Sequence, residues 1–376
     1  MQPARAQRSE QGPAPRPTLA HPGPGDEPTP PQRLRDAARR AVEAAGGAPL
    51  LILTHRSPDP DALGACVGMR TLLETGFGLE ATVATTGRIF RAENVAMVRE
   101  LGLQFEDYQA VDPGGFAGCV LVDTQPGFGH TTVPEDLPVV AVIDHHIAPE
   151  GGSKFDVAHR DVRTDIGSTS TLVYEYLRDT GVPLDGHTAT SLFCGVRFDT
   201  GDLAQASTPL DEEAYYDTFR RADKALLARV QRPRLPQDYY RELSRSLRLV
   251  RRHGPAVVAL LGSVKNPESV AEMADFFLRM EGARWSLVGG AFEGQYFVSL
   301  RTLPGGPEAY DVLSRVLSDG GSFGGHGRIA GGQVPLEDTD ALGIRRVERR
   351  LRKRVVEIVD PEDELDEESR LGRTLA

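Results

Sequence analysis

The stretch 139-VVAVIDHHIAP-149 places five apolar residues directly before an aspartate and two histidines. A continuous apolar run of this length is typical of a strand that is buried on both faces of a parallel sheet. In such sheets, the residues that bind ligands collect beyond the carboxyl ends of the strands. The stretch therefore predicts an α/β fold and a polar site that includes Asp144, His145 and His146.

Three more apolar runs alternate with helical patterns in the first half of the chain. They are 49-PLLILTH-55, 81-ATVATTG-87 and 119-CVLVD-123, and helical patterns follow at residues 168–178 and 187–196. This alternation predicts a parallel-sheet domain over residues 32–210, with helices on both faces of the sheet. Residues 1–31 contain nine prolines, a composition that predicts a disordered arm.

The second half of the chain divides into three predicted regions. Residues 211–253 are polar and helical and contain no strand pattern, so they predict a helical linker between domains. Residues 254–340 contain strand patterns, two helical patterns and a glycine-rich segment, which predict a smaller mixed α/β domain. Residues 341–376 predict a basic amphipathic helix followed by an acidic tail.

The composition argues against several classes of protein. The chain has 376 residues and a formal net charge of −11, so it does not coat nucleic acid through bulk charge. Its three cysteines lie far apart, without a CxxC pair, which argues against a thiolate zinc site and a disulfide framework. No apolar run reaches the roughly 18 residues of a membrane helix. We therefore expect a cytoplasmic protein without a membrane partner.

Carboxylates and imidazoles follow several of the predicted strands. His55, Asp59 and Asp61 come after the first strand, Asp123 ends another, and Asp199 follows an apolar helical run. Taken singly, each aspartate is also typical of a helix cap or a turn. Clustered carboxylates repel one another, and these segments contain no lysine, so a divalent cation is the natural partner. Oxygen ligands with few imidazoles favour Mn²⁺ or Mg²⁺, with two ions sharing one carboxylate.

Four segments resemble the successive motifs of the DHH phosphoesterase superfamily. They are THRSPDPDALGA (54–65), LVDT (121–124), VIDHH (142–146) and FDTGDL (198–203). The segment GGSFGGHGRIAGG (320–332) is similar to the glycine and histidine signature of the associated DHHA1 domain. The resemblance extends over residues 47–340. Within the superfamily, the chain resembles the compact, two-domain members of the nanoRNase and 3′-phosphoadenosine 5′-phosphate phosphatase type.

The resemblance implies two sites for divalent cations, Mn²⁺ in the first place and Mg²⁺ as the alternative. The first cation would be held by His55, Asp59 and Asp123. The second would be held by Asp61, Asp123, His145 and Asp199. Asp123 would therefore bridge the two ions.

The resemblance also implies roles in catalysis and substrate binding. His146 would face the scissile phosphate, and Asp144 would orient its neighbours. The residues expected to contact the substrate are Arg301, His326, Gly324, Gly325, Ser168 and Thr169. Ser168 is equally well explained as a helix N-cap.

The activity implied is hydrolysis of phosphodiester or phosphomonoester bonds in short oligoribonucleotides, linear dinucleotides or 3′-phosphoadenosine 5′-phosphate. Three alternatives stay open. The first is a cyclic-dinucleotide phosphodiesterase. The second is an inorganic pyrophosphatase or exopolyphosphatase, which would need a C-terminal cluster of Lys and Arg. The third is a nucleotide-binding regulator without turnover. The expected partner is a small nucleotide or short single-stranded nucleic acid, and a homodimer is one option for the oligomeric state.

Overall fold

The computed structural model describes residues 27–87, 89, 91–129, 131–147, 155, 157–205, 207–318, 320–359 and 372–374, without the side chain of His326. They form two compact units. The first contains the described residues up to Ile89 and Glu93–Pro233, and the second contains residues 91–92 and the described residues from Arg234 onward. The predicted disordered arm falls largely on residues 1–26, and most of the predicted acidic tail falls on residues 360–371. Both segments lie outside the described residues.

The first unit is built on a six-stranded sheet. Its strands are β1 (Leu50–Thr54), β2 (Ala81–Thr85), β3 (Glu106–Asp107), β4 (Gly118–Val122), β5 (Val139–Asp144) and β6 (His159–Val162). Its helices are α1 (Pro30–Ala44), α2 (Pro60–Thr71), α3 (Ala92–Glu100), α4 (Thr169–Asp179), α5 (Gly186–Asp199), α6 (Pro209–Arg221) and α7 (Lys224–Gln231). The short strands β3 and β6 have no apolar run and were not predicted.

The sheet is parallel throughout, with the strand order β3-β2-β1-β4-β5-β6. The prediction of a parallel-sheet α/β unit is confirmed. Strands β1 and β4 are neighbours although two strands separate them along the chain, so the strand order reverses between them. Crevices that bind ligands in open α/β sheets lie at this switch point, outside the carboxyl ends of the strands.

The two faces of the sheet are covered differently. On one face, Ile52, Val120 and Ile143 belong to a core that also contains Leu34 of α1 and Leu172 of α4. On the other face, the apolar side chains of the strands pack with residues of the connections around them, among them Leu137, Val133, Phe116 and Val157. Helices were predicted on both faces. Among the described residues, this second face is covered by connecting segments, which include the short 3₁₀-helices Tyr108–Ala110 and Pro113–Gly115.

Close helix packing positions the elements around the switch point. The Cα of Gly64 in α2 lies so near α5 that an added Cβ would be 2.4 Å from the carbonyl oxygen of Ser191. Only glycine permits this approach. Because α2 carries Asp61 at its start and α5 ends at Asp199, their close packing brings these two carboxylates to one edge of the sheet.

The second unit contains a seven-stranded mixed sheet. Its strands are β7 (Arg251–His253), β8 (Ala256–Ser263), β9 (Trp285–Phe292), β10 (Gln295–Thr302), β11 (Ser322–His326), β12 (Ile329–Pro335) and β13 (Arg373–Thr374). Its helices are α8 (Gln237–Leu249), α9 (Glu268–Leu278), α10 (Ala309–Val316) and α11 (Ala341–Val359). The strand order is β11-β12-β10-β9-β8-β7-β13, and only β8 and β9 pair in parallel. This unit confirms the prediction of a second, mixed α/β domain.

The predicted linker over residues 211–253 is not a separate element. Leu226, Leu227 and Val230 of α7 pack with Phe193 of α5, so this helix belongs to the first unit. In contrast, Leu243 of α8 packs into a core of the second unit. The linker was predicted because its helices are polar on most of their surface. Each helix has only a narrow row of apolar residues, and the sequence does not reveal against which core that row packs.

The predicted basic helix is α11, which buries Ile344, Leu351 and Val355 and exposes most of its arginines. Its apolar stripe is therefore used within the second unit. None of the described helices is long and apolar enough to span a membrane.

A buried histidine in β6 provides a pH-dependent test of the fold. His159 Nε2 lies 2.8 Å from the hydroxyl oxygen of Tyr176, which donates to Asp161 Oδ2 at 2.8 Å. Burial lowers the pKa of His159 from 6.5 to about 4; Asp161 opposes this shift and Arg33 adds to it. As the pH falls from 6.5 towards 4, the unfolded chain binds a proton that the folded chain rejects, so stability decreases.

We therefore expect that His159→Gln flattens the loss of stability between pH 6.5 and 4. The free energy of unfolding should be measured by urea titration at several pH values for both proteins. Identical pH profiles for the two proteins would contradict the burial of a neutral imidazole at this position.

Candidate metal centre

The polar residues that follow β1, β4 and β5 meet at the switch point of the first sheet. His55 Nε2 lies 3.5 Å from Asp123 Oδ2. His145 Nε2 lies 3.1 Å from Asp199 Oδ2, 3.8 Å from Asp123 Oδ1 and 3.9 Å from Asp61 Oδ2. Residues that are separated by up to 144 positions in the chain thus form one cluster, because parallel strands end at the same edge.

Three groups in this cluster have ligand atoms within 4.8 Å of one another. One consists of His55, Asp59 and Asp123, which is the set expected for the first cation. Another consists of Asp61, His145 and Asp199, which together with Asp123 is the set expected for the second. The third joins Asp123 to His145 and His146. All six expected ligands are brought together, and Asp123 lies between the two sets.

The chemistry of the donors fits divalent cations. His55 Nδ1 lies 2.9 Å from the carbonyl oxygen of Arg56, and His145 Nδ1 lies 3.2 Å from that of Ile166. A histidine that donates one N–H to a carbonyl presents its other nitrogen as a ligand. The buried atoms His145 Nε2 and Asp123 Oδ2 have no hydrogen-bond partner within the described part of the chain. Adjacent ligand atoms that lie about 2.1 Å from an octahedral ion are about 3 Å apart. The distance of 3.1 Å between His145 Nε2 and Asp199 Oδ2 is close to this value.

Burial and neighbouring charges shift the pKa values of several groups in the cluster. Burial and the charges of Asp199 and Asp123 raise the pKa of Asp59 to about 7. Burial also raises the pKa of Asp61 well above its usual value, with further contributions from Asp123 and Asp199. Burial alone would lower the pKa of His145, but Asp199, Asp61 and Asp123 raise it to about 10. The cluster therefore attracts positive charge, as protons or as metal ions.

The backbone at Asp123 is unusual. Its φ is 58°, in the left-handed region, while its N–H still donates to the carbonyl oxygen of Ile143 at 3.0 Å. This conformation costs a residue other than glycine about 1–2 kcal/mol, although aspartate tolerates it better than most. The turn ends β4 directly before the shared carboxylate, and such strain is concentrated at functional sites.

The start of α4 holds two of the carboxylates. The N–H groups of Thr169 and Ser170 donate to Asp61 Oδ2 and Oδ1 at 2.6 and 2.8 Å, and the hydroxyl of Thr169 donates to Asp123 Oδ1 at 2.7 Å. Donation from a helix N-terminus stabilises negative charge. Ser168 accepts from the N–H of Thr171 at 3.1 Å as the N-cap.

These contacts correct the expectation that Ser168 and Thr169 line the path of the phosphate. Both residues are fully buried, and their polar groups are already used within the protein. Ser168 begins the helix and Thr169 positions the carboxylates. The N-cap interpretation of Ser168 was the right one, and Asp59 likewise caps α2 while it contributes to the candidate metal site.

Asp144 orients the two histidines that follow it. Its Oδ1 accepts from the N–H of His145 at 2.8 Å and from the N–H of His146 at 3.2 Å, and it lies 2.8 Å from His146 Nδ1. The side chain of His146 is 39% exposed, whereas Asp144 is fully buried. His146 Nδ1 also lies 3.7 Å from Asp123 Oδ1. His146 thus stands at the accessible edge of the cluster.

Asp211 is a supporting residue that was missed. Its two oxygens accept from the N–H of Gly167 at 3.1 and 3.0 Å, from the hydroxyl of Thr171 at 2.7 Å, and from the N–H and hydroxyl of Thr208 at 2.8 and 2.7 Å. It fixes the segment that leads into α4. The capping box at Thr208 and Asp211 was a detectable signal for a helix start, but the link to Gly167 depends on tertiary structure.

The remaining predicted residues lie in the second unit. Arg301 Nε donates to Asp275 Oδ1 at 2.6 Å, and its Nη1 donates to Ser299 Oγ at 2.7 Å. Gly324 and Gly325, which belong to the predicted glycine-rich segment, lie in the edge strand β11. The side chain of His326 lies outside the described residues, so its role stays a prediction.

We expect that Asp123→Asn removes binding at both metal sites, because one neutral amide replaces the charge that the two sets share. In contrast, Asp59→Asn should remove binding at one site. Metal content after dialysis against Mn²⁺ and isothermal titration would measure both effects. Retention of two tightly bound ions by Asp123→Asn would contradict its bridging position.

We also expect that Thr169→Val weakens metal binding by about tenfold to 100-fold, since residues that orient ligands have effects of this size. Thr180→Val is the matched control, because this buried threonine of the same helix region donates only to carbonyl oxygens of α4. Equal metal affinities of the two variants would show that the hydroxyl of Thr169 does not position Asp123.

Two protein-family models match this chain. The DHH family N-terminal domain model matches residues 49–196, and the DHHA1 domain model matches residues 253–353. An uncharacterized protein of Methanocaldococcus jannaschii is 28% identical over 327 residues, which cover 84% of this chain and 65% of that protein. A probable manganese-dependent inorganic pyrophosphatase of Streptococcus agalactiae is 25% identical over 162 residues, which cover 42% of this chain and 50% of that protein.

The chain thus spans about two thirds and half, respectively, of the lengths of these relatives. Among solved structures, an exopolyphosphatase-related protein from Bacteroides fragilis has the same fold, with a TM-score of 0.66 and 16% identity. The similarity covers 87% of this chain and 98% of that one. The two domain models together match well over half of the sequence, in the order and positions of the two observed units. The chain therefore contains a DHH family N-terminal domain and a DHHA1 domain.

Proposed function

We propose that this protein is a metal-dependent phosphohydrolase that cleaves phosphodiester or phosphomonoester bonds of small nucleotides. Short oligoribonucleotides, linear dinucleotides and 3′-phosphoadenosine 5′-phosphate are the candidate substrates. The observation that carries the proposal is the cluster of ligand atoms at the switch point of the sheet. Asp123 groups with His55 and Asp59, and its Oδ1 lies 3.8 Å from Nε2 of His145, which groups with Asp61 and Asp199. The manganese-dependent relative favours Mn²⁺ as the cation, and the oxygen-rich donor set also suits Mg²⁺.

Each residue of the cluster has a distinct task in this proposal. Two divalent cations supply charge neutralisation and a water of lowered pKa. His55, Asp59 and Asp123 would hold one cation, and Asp61, Asp123, His145 and Asp199 would hold the other. Because Asp144 occupies Nδ1 of His146, the Nε2 of that ring is the atom that contacts a phosphate oxygen.

We further propose that the second unit contributes contacts to substrate phosphates through Arg301, His326 and the backbone of Gly324 and Gly325. Its bonds to Asp275 and Ser299 hold the guanidinium of Arg301 in one orientation within the second unit. A phosphate would compete with Asp275 for this group, so Arg301→Gln should change KM more than kcat.

Inorganic pyrophosphatase activity is a second candidate, because the relative from Streptococcus agalactiae matches 42% of this chain. A regulator that binds nucleotide without turnover is less well supported. Such a protein would be expected to have lost a ligand, and the six ligand positions are filled.

A substrate panel tests these proposals. We expect release of mononucleotide from short RNA, linear dinucleotides or the bisphosphate in the presence of Mn²⁺, and no release by Asp123→Asn. Hydrolysis confined to pyrophosphate or polyphosphate would favour the second candidate. Hydrolysis confined to cyclic dinucleotides would shift the substrate class. A nucleotide that binds with Mn²⁺ but stays intact would contradict an enzymatic role.

A further inference from the structure

The loop that follows Asp123 is fixed against the histidine at the accessible edge of the cluster. Gln125 Nε2 donates to the carbonyl oxygen of His146 at 2.9 Å. Within the loop, the N–H of Phe128 donates to the carbonyl oxygen of Gln125 at 3.4 Å, and the N–H of Thr131 donates to that of Phe128 at 3.1 Å. The hydroxyls of Thr124 and Thr131 share a hydrogen bond that closes the loop.

These bonds place an aromatic ring beside the candidate catalytic histidine. The ring centroids of Phe128 and His146 lie 6.1 Å apart at an interplanar angle of 82°. Gly127, with a φ of 97°, provides the reversal of the chain that an L side chain rarely permits. Phe128 is half-buried, so part of its ring remains accessible to solvent.

The neighbouring surface is also apolar. Ile147, directly after His146, is 79% exposed, although a large aliphatic side chain gains free energy when it leaves water. An exposed apolar residue is ordinary by itself. Here Ile147 follows His146 in the chain, and the ring of Phe128 lies beside the ring of His146. His146 also lies beside the buried carboxylate of Asp123, so two apolar residues adjoin a residue of the acidic cluster.

This combination distinguishes between classes of substrate. Pyrophosphate and polyphosphate carry only charge and hydrogen-bond acceptors, and they gain nothing from an aromatic ring. A nucleotide carries a phosphate joined through one sugar to a flat apolar base. We propose that Phe128 stacks on the nucleobase next to the scissile phosphate, an inference that rests on the proposed phosphohydrolase function and selects nucleotides as its substrates.

Stacking of a base on an aromatic side chain contributes about 1–3 kcal/mol. Loss of the ring therefore corresponds to weaker binding by about 5-fold to 150-fold. The gain depends on the base and not on the phosphate, because the ring contacts only the base. Substrates that lack the base should be indifferent to the residue at position 128.

A structural role for Phe128 makes a different prediction. If the ring only braces His146, its removal should lower kcat for every substrate, with or without a base. If the ring stacks on a base, its removal should raise KM for base-bearing substrates alone. The comparison of substrates thus separates the two roles within one set of variants.

The experiment compares Phe128→Leu with the wild-type protein on a linear adenine dinucleotide and on its abasic counterparts, in which either base is replaced by hydrogen. We expect a KM about tenfold or more higher for the intact dinucleotide, and an unchanged KM for the abasic form that lacks the stacked base. Phe128→Trp should restore the low KM, since a larger ring preserves stacking. Mn²⁺ affinity should be the same in all variants.

Tyr240→Leu is the matched control, because it removes an exposed aromatic ring from α8 in the other unit. An unchanged KM for the intact dinucleotide in Phe128→Leu, or an equal loss of kcat on all substrates, would overturn the stacking role. Absence of nucleotide turnover by the wild-type protein would instead contradict the proposed function. Equilibrium binding of the intact and abasic dinucleotides to the same variants then decides the stacking separately.

Discussion

The accumulation of buried negative charge at one edge of a parallel sheet is the constraint on which the first unit depends. Asp61, Asp123 and Asp144 are almost completely inaccessible to solvent, and Asp59 and Asp199 lie beside them. A carboxylate removed from water is costly unless it is paired or hydrogen-bonded. Imidazoles and backbone N–H groups offset part of this cost. The carboxylate and imidazole atoms of the cluster nevertheless lie within 4.8 Å of one another in groups of three. This arrangement is the reason to assign divalent cations to this edge of the sheet.

Much of the surrounding structure serves to hold these charges at fixed positions. The starts of α2 and α4 both lie at the cluster, where Asp59 caps one helix and the first N–H groups of the other bond to Asp61. The positive end of each helix dipole therefore lies close to a carboxylate. Asp211 fixes the segment before α4, and Gly64 allows α2 to approach α5. The residues that contact a cation and those that place them form one continuous network.

Local sequence patterns are sufficient to predict the buried strands of the first sheet. The buried strands β1, β4 and β5 were predicted because both faces of a central parallel strand are apolar. A cluster of polar residues was predicted with them, because the carboxyl ends of neighbouring parallel strands lie at the same edge of the sheet. The short strands β3, β6, β7 and β13 were missed, since short and partly polar strands carry no periodic signal. Ser168 and Thr169 were assigned to the substrate because a motif shows residue types and does not show burial.

The sequence by itself determined the fold class and the order of the two domains, because these depend on hydrophobic pattern, and its resemblance to the DHH phosphoesterase superfamily implied the six candidate ligands. The tertiary structure alone decided which carboxylates lie within reach of each other, that Thr169 supports Asp123, and that Asp123 has a left-handed backbone conformation. It also decided that Phe128 lies beside His146. Such contacts join residues that are distant in the chain, so no local pattern encodes them.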